Sequence, residues 1–210
     1  MDERTQIWGI LLAAGRGTRF GREKHAVEFD GGPMWQRSRD ALIEGGVERI
    51  VIVGDFEGAV PGGDRRRDSV AAGLAAIPDS EGLVLIHDAA RPLVTGDLVR
   101  RVIERLRVGD VAGVIPAVPV RDTVKRVTDG LVVETVDRSC LVAVQTPQGF
   151  NLAVLRSAHS ASDVDSTDDA SMVEGIGGSV AVVEGDAHNL KVTYPDDFAL
   201  AEALRSKDHG

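Results

Sequence analysis

Short apolar runs with strand character alternate with helical patterns along the 210-residue chain, and this alternation restricts the possible folds most strongly. Several runs are almost continuously apolar, as strands covered on both faces are. The runs are "IWGILL" (7–12), "RIVIVG" (49–54), "GLVLIHD" (82–88), "VAGVIPAV" (111–118), "LVAVQT" (141–146) and "SVAVVEG" (179–185). The helical patterns cover residues 33–45, 68–77, 96–107, 151–160, 167–176 and 195–206. Such alternation predicts an α/β fold with a mostly parallel sheet flanked by helices.

One segment departs from the alternation. Residues 122–136, "DTVKRVTDGLVVETV", contain two β-type runs around Asp129 and Gly130, which is a strong hairpin signal. Such a hairpin forms either a sheet edge or a projecting arm. We see no repeat, low-complexity tract or linker that would divide the sequence. We therefore expect a single domain over residues 1–210, with a Rossmann-like mixed sheet and a protruding β-hairpin arm at about residues 119–140.

Composition restricts the class of protein. With 43% hydrophobic residues, 27% charged residues and a net charge of -9, the chain is typical of a globular protein and not of a nucleic-acid binder. Its single cysteine, Cys140, cannot form an intramolecular disulfide, which fits a reducing compartment, and we expect it to be buried. We find neither a membrane-spanning run nor a signal peptide. We expect a cytoplasmic protein without membrane or nucleic-acid partners.

The stretch "ILLAAGRGTRFGREKHA" (10–26) leads from a strand into a glycine-containing turn. Backbone N–H groups converge at such turns, which makes them anion sites. The dinucleotide-binding fingerprint fails because Phe20 replaces its third glycine, and the P-loop fails because no Gly-Lys-Ser/Thr follows. The stretch contains four cations that suit an oligophosphate, although a solvated cationic loop is the alternative. These cations are Arg16, Arg19, Arg22 and Lys24.

Two later motifs also suggest functional residues. Asp88 in "HDAARP" ends a strand, where α/β proteins present catalytic groups, and its carboxylate could hold a metal ion or a substrate hydroxyl. The preceding His87 is better explained as a core histidine with satisfied hydrogen bonds. Lys191 lies in a β-type run between Asn189 and Pro195, where a lone lysine is usually an edge residue that faces water.

Together the motifs resemble one family. In order they are "AAGxGxR", "GDxRxDSV", "HDAARP", "PVRDTxKR", "TVDR", "TPQ", "TDxAS" and "NxKVT", and from about residue 8 to about 204 they closely resemble the 2-C-methyl-D-erythritol 4-phosphate cytidylyltransferases. These nucleotidyltransferases join CTP and methylerythritol phosphate to give the diphosphocytidyl product and pyrophosphate, in non-mevalonate isoprenoid biosynthesis. The resemblance implies CTP as a substrate, Mg²⁺ as a cofactor, and a homodimer whose subunits exchange the hairpin arm.

The resemblance also implies roles for individual residues. The groups around the triphosphate would be the catalytic residues Arg19, Lys24 and Lys191. The rest of the nucleotide would contact Ala13, Ala14, Gly15, Gly17, Gly63, Asp64 and Ser69. The polyol phosphate would contact Asp88, Arg91, Thr123, Arg138, Thr146 and Thr167. Asp88 would also help to place Mg²⁺, and Arg138 would serve the active site of the partner subunit.

The first loop departs from the family pattern, and several alternatives stay open. Glu23-Lys24-His25 stands where the family usually has Pro-Lys-Gln. The nearest alternative is a cytidylyltransferase for another polyol phosphate, such as ribitol 5-phosphate. Guanylyl- and uridylyltransferases share the glycine-containing start, and a non-catalytic nucleotide-binding homologue would fit the altered loop. A nicotinamide enzyme with Asp55 as its ribose-binding acid is the most remote alternative.

Overall fold

The computed structural model describes residues 5–14, 27–161 and 166–207, and a mixed sheet lies at its centre. The strands are β1 (Ile7–Leu12), β2 (Glu28–Phe29), β3 (Gly32–Pro33), β4 (Arg49–Val53), β5 (Leu83–Asp88), β6 (Gly113–Pro119), β7 (Val124–Thr128), β8 (Leu131–Val136), β9 (Val142–Val144), β10 (Gln148–Asn151) and β11 (Val180–Glu184). The helices are α1 (Met34–Glu44), α2 (Arg66–Ala76), α3 (Gly96–Arg107), α4 (Leu152–Ala161), α5 (Asp169–Gly175) and α6 (Pro195–Lys207).

The central sheet has the order β4-β1-β5-β10-β6-β11, and β9 pairs with the end of β6. The strands β4, β1, β5, β6 and β11 run in one direction, whereas β10 is antiparallel to both of its neighbours. This mostly parallel sheet with flanking helices confirms the fold class that the sequence predicts.

The core has two main layers, one on each face of the sheet. In β5, Leu83 and Leu85 face the layer under α1 and α3, while Val84 and Ile86 face the layer under α2, α4 and α5. Side chains alternate between the two faces of a strand, so an apolar run without polar interruptions is buried on both sides. This burial fixes β5 in the middle of the sheet. Its last residue, Asp88, therefore lies where the carboxyl ends of the parallel strands meet.

A third apolar cluster forms where α6 packs on the rest of the chain. Phe29, Met34, Leu93, Val192 and Ala201 are its buried members. The backbone N–H of Val192 also donates a hydrogen bond to the carbonyl oxygen of Ala90, with an N to O distance of 2.7 Å. The segment that carries Lys191 is therefore anchored to the loop after β5.

The expected hairpin is confirmed as a two-stranded sheet of its own, β7 with β8. Its turn has positive φ at Asp129 (50°) and Gly130 (78°), as a two-residue type I′ turn requires. Val127, Leu131 and Val132 are each more than half exposed on this hairpin. The arm thus presents apolar side chains that the central sheet does not cover.

Two expectations about single residues were wrong. Lys191 does not lie in a strand, because residues 190–193 have no strand partner; Leu190 and Val192 give the sequence its alternation by packing into the third cluster. Cys140 is exposed and not buried, because it ends a 3-10 turn (Arg138–Cys140) between the arm and β9.

None of the helices in the described part of the chain has the length and apolar character that a membrane-spanning helix needs.

Candidate active site

A cavity of about 290 Å³ opens at the carboxyl end of β5. Ligands of α/β proteins bind at this edge of the sheet. The walls come from the start of α2, the end of β5 and the loop after it, the segment from β9 to β10, the residues before α5 and the residues before α6. The lining residues are Arg66, Asp88, Arg91, Val144, Gln145, Thr146, Gln148, Thr167, Asp168 and Lys191.

Asp88 lies between two cations in this cavity. Its Oδ2 accepts a hydrogen bond from Lys191 Nζ at 2.7 Å, and its Oδ1 lies 3.3 Å from Arg66 Nε. Burial alone would raise the pKa of Asp88, but the charges of Arg66 and Lys191 and the hydrogen bond from Lys191 outweigh it. The pKa of Asp88 is therefore held well below its usual range, and the carboxylate is ionised at neutral pH.

Arg66 connects Asp88 to a second carboxylate behind the cavity. It is the first residue of α2, and its Nη1 donates to Asp169 Oδ2 at 2.7 Å. Burial lowers the pKa of Arg66, whereas the charges and hydrogen bonds of Asp169 and Asp88 raise it, and the net shift is upward. Arg66 therefore keeps its positive charge between two acids at all relevant pH values.

His87 is a core histidine, as the sequence analysis expected. Its Nδ1 lies 3.0 Å from Thr146 Oγ1, and its Nε2 lies 3.3 Å from the carbonyl oxygen of Arg91. Burial lowers the pKa of His87 to about 4, although the charge of Asp88 opposes this shift. The imidazole is therefore neutral at pH 7, and both of its nitrogens are occupied by protein partners.

A hydrogen-bond network holds the loops around the cavity. Arg91 Nη1 donates to the carbonyl of Asn189 at 2.7 Å, and Asn189 Nδ2 donates to the carbonyl of Thr146 at 2.9 Å. Thr146 Oγ1 accepts from the backbone N–H of Asp88 at 3.1 Å. The end of β5, the segment before β10 and the segment that carries Lys191 are thereby tied to one another.

The segment around Gly63 packs beside the end of β1. A Cβ atom on the adjacent Gly62 would lie 2.4 Å from the Cβ of Ala14, so the two backbones approach closely. The N–H of Gly63 donates to Ser69 Oγ at 3.1 Å. Ala14, Gly63 and Ser69, three residues assigned to the nucleotide, therefore belong to one local assembly.

The structure brings together some of the predicted site residues. Those that line the cavity are Asp88, Arg91, Thr146, Thr167 and Lys191. Ala13, Gly63, Asp64 and Ser69 lie near the ends of β1 and β4 or the start of α2, and the N–H of Ala13 donates to the carbonyl of Val53. The predicted residues Gly15, Gly17, Arg19 and Lys24 lie outside the described residues.

Two predicted substrate contacts are not in the cavity of this subunit. Thr123 directly precedes the arm strand β7, and Arg138 lies in the turn after β8; both residues are exposed. The role of Arg138 in the site of a partner subunit stays a prediction.

Sequence reasoning missed several residues of the cavity, above all Arg66. Helix capping and surface charge are sufficient to explain the run of three arginines, Arg65 to Arg67, so the run alone does not indicate a site residue. The signal was present, since the pattern "GDxRxDSV" retains an arginine at position 66. Gln145, Gln148 and Asp168 also line the cavity. Gln148 and Asp168 belong to the "TPQ" and "TDxAS" patterns and Gln145 directly precedes "TPQ", but no feature of their residue type distinguished them.

Mg²⁺ in phosphate-binding sites is usually held by one or two carboxylates together with the phosphates of the substrate. Both oxygens of Asp88 face cations. Asp168 accepts hydrogen bonds from Gln148 Nε2 and from the backbone N–H of Ser171. Within the described residues, no group of three or more His, Cys, Asp or Glu side chains is arranged to hold a metal ion. In this structure both oxygens of Asp88 are thus engaged with protein cations, and its role in placing Mg²⁺ stays a prediction.

Comparisons with known proteins identify the family. The family model described as 2-C-methyl-D-erythritol 4-phosphate cytidylyltransferase matches residues 7–207. A relative of that name from Nocardia farcinica is 44% identical, over 97% of this chain and 95% of its own length. The crystal structure of the enzyme of that name from Thermus thermophilus superposes with a TM-score of 0.79, at 33% identity, over 94% of this chain and 98% of its own.

Some relatives are longer. The "Bifunctional enzyme IspD/IspF" of Nitratidesulfovibrio vulgaris is 42% identical to this chain over 94% of its length. The match covers 58% of that relative, so the chain spans somewhat more than half of the bifunctional protein. By the family model and by the relatives of matching length, the chain belongs to the 2-C-methyl-D-erythritol 4-phosphate cytidylyltransferase family.

Proposed function

We propose that this protein transfers the cytidylyl group of CTP to 2-C-methyl-D-erythritol 4-phosphate, giving 4-diphosphocytidyl-2-C-methyl-D-erythritol and pyrophosphate, as a step of isoprenoid precursor biosynthesis. The observation that carries the proposal is the Lys191–Asp88–Arg66 arrangement in the cavity at the end of β5. Membership of the family supports the choice of CTP and methylerythritol phosphate.

The reaction is the attack of a phosphate monoester oxygen on the α-phosphorus of CTP. The phosphate dianion is already a nucleophile at neutral pH, so the protein does not need a general base. His87 fits this view, because both of its ring nitrogens are engaged with Thr146 and Arg91. The barrier arises mainly from bringing two anions together and from charge that moves to the leaving pyrophosphate, so positioned cations lower it.

Lys191 is the cation that we assign to the reacting phosphates. Its side chain is 44% exposed, and its ammonium group pairs with Asp88 at the cavity wall. A substrate phosphate that enters the cavity competes with Asp88 for this ammonium group. By resemblance, Arg19 and Lys24 complete the cation set around the triphosphate, and Gly15 and Gly17 supply backbone N–H groups to it.

We assign the two substrates to neighbouring parts of the site. The polyol phosphate and its hydroxyls would contact Thr146, Thr167, Arg91 and the carboxylate of Asp88, all of which line the cavity. The nucleotide base and ribose would contact Ala13, Ala14, Gly63, Asp64 and Ser69. The close packing of Ala14 against the Gly62–Gly63 segment supports a common site for this second set.

We further propose a homodimer in which each arm reaches the other subunit. The exposed apolar side chains of β7 and β8 support this assembly, because a hairpin with an uncovered apolar surface needs a partner. Thr123 and Arg138 would then complete the partner's polyol-phosphate site. A cytoplasmic location is proposed as well, on the single cysteine of the chain.

Mg²⁺ belongs to the proposal as an ion bound to the phosphates of CTP. Asp88 would help to place it, because its Oδ2 would be freed when the Lys191 ammonium group moves to a substrate phosphate. We derive no catalytic step from it.

The test is pyrophosphate release by the purified protein with CTP and Mg²⁺. Methylerythritol phosphate and ribitol 5-phosphate are compared as acceptors, and a reaction without acceptor is the control. We expect release only with methylerythritol phosphate. Release only with ribitol 5-phosphate would contradict the assigned acceptor while keeping the mechanism.

A nucleotide panel in the same assay tests the choice of CTP. We expect activity with CTP and none with GTP or UTP. Preference for another nucleotide would contradict the cytidylyltransferase assignment. Binding of CTP without pyrophosphate release, with either acceptor, would identify a non-catalytic homologue.

A further inference from the structure

Asp169 lies directly behind the cavity and is fully buried. Both of its carboxylate oxygens have partners on other elements: Oδ2 accepts from Arg66 Nη1 at 2.7 Å, and Oδ1 lies 3.2 Å from His159 Nε2. Asp169 is thus a buried acid held between α2 and α4.

The fold fixes Asp169 in this place. It begins α5, and the side-chain amide of Gln148 in β10 binds both sides of that helix start. Gln148 Nε2 donates to Asp168 Oδ2 at 3.1 Å, and its Oε1 accepts from the N–H of Ala170 at 3.3 Å. The carboxylate of Asp169 cannot move far without breaking these contacts, so it is a fixed anchor for Arg66.

Arg66 is shared unequally between its two carboxylates. Its contact with Asp169 is short, at 2.7 Å, whereas its contact with Asp88 is long, at 3.3 Å, and uses only Nε. A guanidinium group prefers to bind a carboxylate with two parallel N–H donors. Asp169 therefore prevents Arg66 from closing on Asp88 in this bidentate manner.

We propose that Asp169 is a positioning residue for Lys191: by holding Arg66 back, it leaves Asp88 Oδ2 available to pair with the Lys191 ammonium group. Its role in turnover depends on the transferase function proposed above. When Lys191 moves to a substrate phosphate, Arg66 remains beside Asp88 and compensates its charge. Because Asp169 holds Arg66 beside Asp88, the buried carboxylate of Asp88 keeps a cationic partner when Lys191 moves away.

The variant Asp169→Asn tests this proposal, because it keeps the size of the side chain and removes its charge. Arg66 is then free to close on Asp88, and Lys191 loses its partner. The readout is the rate at which a small amine-reactive reagent, acetic anhydride, modifies Lys191, measured by peptide mass spectrometry relative to Lys125. We expect the relative rate to rise about two- to fivefold, the range that exposed ion pairs give.

The matched control is Asp110→Asn. Asp110 pairs with Arg105 at 2.6 Å on the surface, so this variant also removes the acid of an Arg–Asp pair. We expect no change in Lys191 modification there. An unchanged rate in Asp169→Asn would overturn the proposal. Should that variant fail to fold, as judged by circular dichroism, Asp169→Ser takes its place with the same expected increase, since serine is well accepted at a helix start.

Turnover provides a second readout. In Asp169→Asn we expect kcat to fall by roughly 10²-fold, the cost of a misplaced catalytic group, with little change in the KM for CTP. In a Lys191→Ala background the same change should cause no further loss, because both act through one ammonium group. A double variant whose loss equals the product of the two single losses would contradict the proposal and indicate a merely structural role.

The labelling assay needs no turnover, which separates the two proposals. A wild-type protein that releases no pyrophosphate, together with a raised Lys191 rate in Asp169→Asn, would refute the proposed function and retain the positioning role. Pyrophosphate release by the wild-type protein, together with an unchanged rate of Lys191 modification in Asp169→Asn, would support the proposed function and refute the positioning role.

Discussion

Lys191 presents its charge to the cavity from a segment that has no regular secondary structure. Its two neighbours, Leu190 and Val192, pack into the cluster under α6, and the N–H of Val192 binds the carbonyl of Ala90. The flexible stem of a lysine is therefore attached to a well-anchored backbone. In the proposed function, this combination would allow the ammonium group to move from Asp88 to a substrate phosphate while the backbone of Lys191 stays in place.

Replacing Lys191 by alanine tests its assigned role. We expect pyrophosphate release to slow by about 10²–10³, the usual effect of removing one preorganised donor to a developing negative charge. Arg105→Ala serves as the control, since it removes a cation from a surface ion pair far from the cavity. Near-normal turnover in Lys191→Ala would exclude a direct role in transfer.

His87 predicts how stability depends on pH. Burial holds its pKa at about 4 in the folded protein, whereas the unfolded chain has an ordinary value of about 6.5. Between these values the unfolded state binds more protons, so stability falls as pH is lowered from 7 to 4. The expected loss from this group is on the order of 3 kcal/mol.

The measurement is the free energy of unfolding in urea at several pH values between 4.5 and 7.5. His87→Gln removes the titrating group and should flatten this dependence, whatever its effect on absolute stability. The exposed His188→Gln is the matched control, because it removes an imidazole from the surface. An equal slope in wild type and His87→Gln would contradict the lowered pKa of His87 in the folded protein.

The sequence identified individual residues of the site unevenly. Asp88 was found because it ends an apolar strand, a position that a parallel sheet turns toward ligands. Arg66 and Asp169 were not found, because their pairing joins residues 103 positions apart in the chain. No local pattern shows which arginine of a run meets which distant acid.

At the scale of elements, β10 determines how the site is assembled. This short strand lies antiparallel between β5 and β6, and the segment before it forms part of the cavity wall. Gly149 lets it lie close to α3: a Cβ there would be 2.8 Å from Val102 Cγ1 and 3.3 Å from Leu106 Cδ2. Close packing at this position is thus a requirement of the fold.

Adding a side chain at Gly149 should destabilise the protein. We expect Gly149→Val to lower the free energy of unfolding by about 1–3 kcal/mol or more, the cost of overpacking a well-filled core. Gly175→Ala is the control, because no atom lies within 4 Å of the added Cβ in the described residues and alanine favours the helix. Equal stability of Gly149→Val and wild type in urea unfolding would show that α3 packs less closely on β10.

Long elements were predicted well and short ones were not. Strands such as β1 and β5 and helices such as α3 have periodic apolar residues over several turns or pleats, and these followed the predicted ranges closely. The strand β10 contains Gln, Gly, Phe and Asn, and the two-residue strands β2 and β3 offer no period at all. The pairing of β10 is set by the strands on either side of it, which local sequence does not encode, whereas β2 and β3 pair with each other in a separate sheet.

At the scale of the whole molecule, the arm is the part that this subunit leaves uncovered. Val127 and Val132 pair across the hairpin, and both are more than half exposed. Substituting both by lysine should convert the proposed dimer to a monomer, because charged groups would have to be buried in the interface. Sedimentation velocity measures the change. Ile176→Lys, at an exposed apolar residue outside the arm, is the control and should leave the assembly intact.

A wild-type protein that sediments as a monomer would contradict the proposed dimer. So would a dimer that survives both substitutions in the arm. In either case Thr123 and Arg138 would lose their proposed role in the site of a second subunit.

We propose that the protein joins CTP to methylerythritol phosphate in the cavity at the end of β5. The most direct test is ³¹P NMR, which follows both substrates and both products of that reaction. The wild-type protein is mixed with both substrates and Mg²⁺. We predict that the phosphomonoester and triphosphate signals give way, in equal amounts, to pyrophosphate and to a diphosphate diester. Unchanged substrate signals, or pyrophosphate accompanied by CMP instead of the diester, would contradict the account.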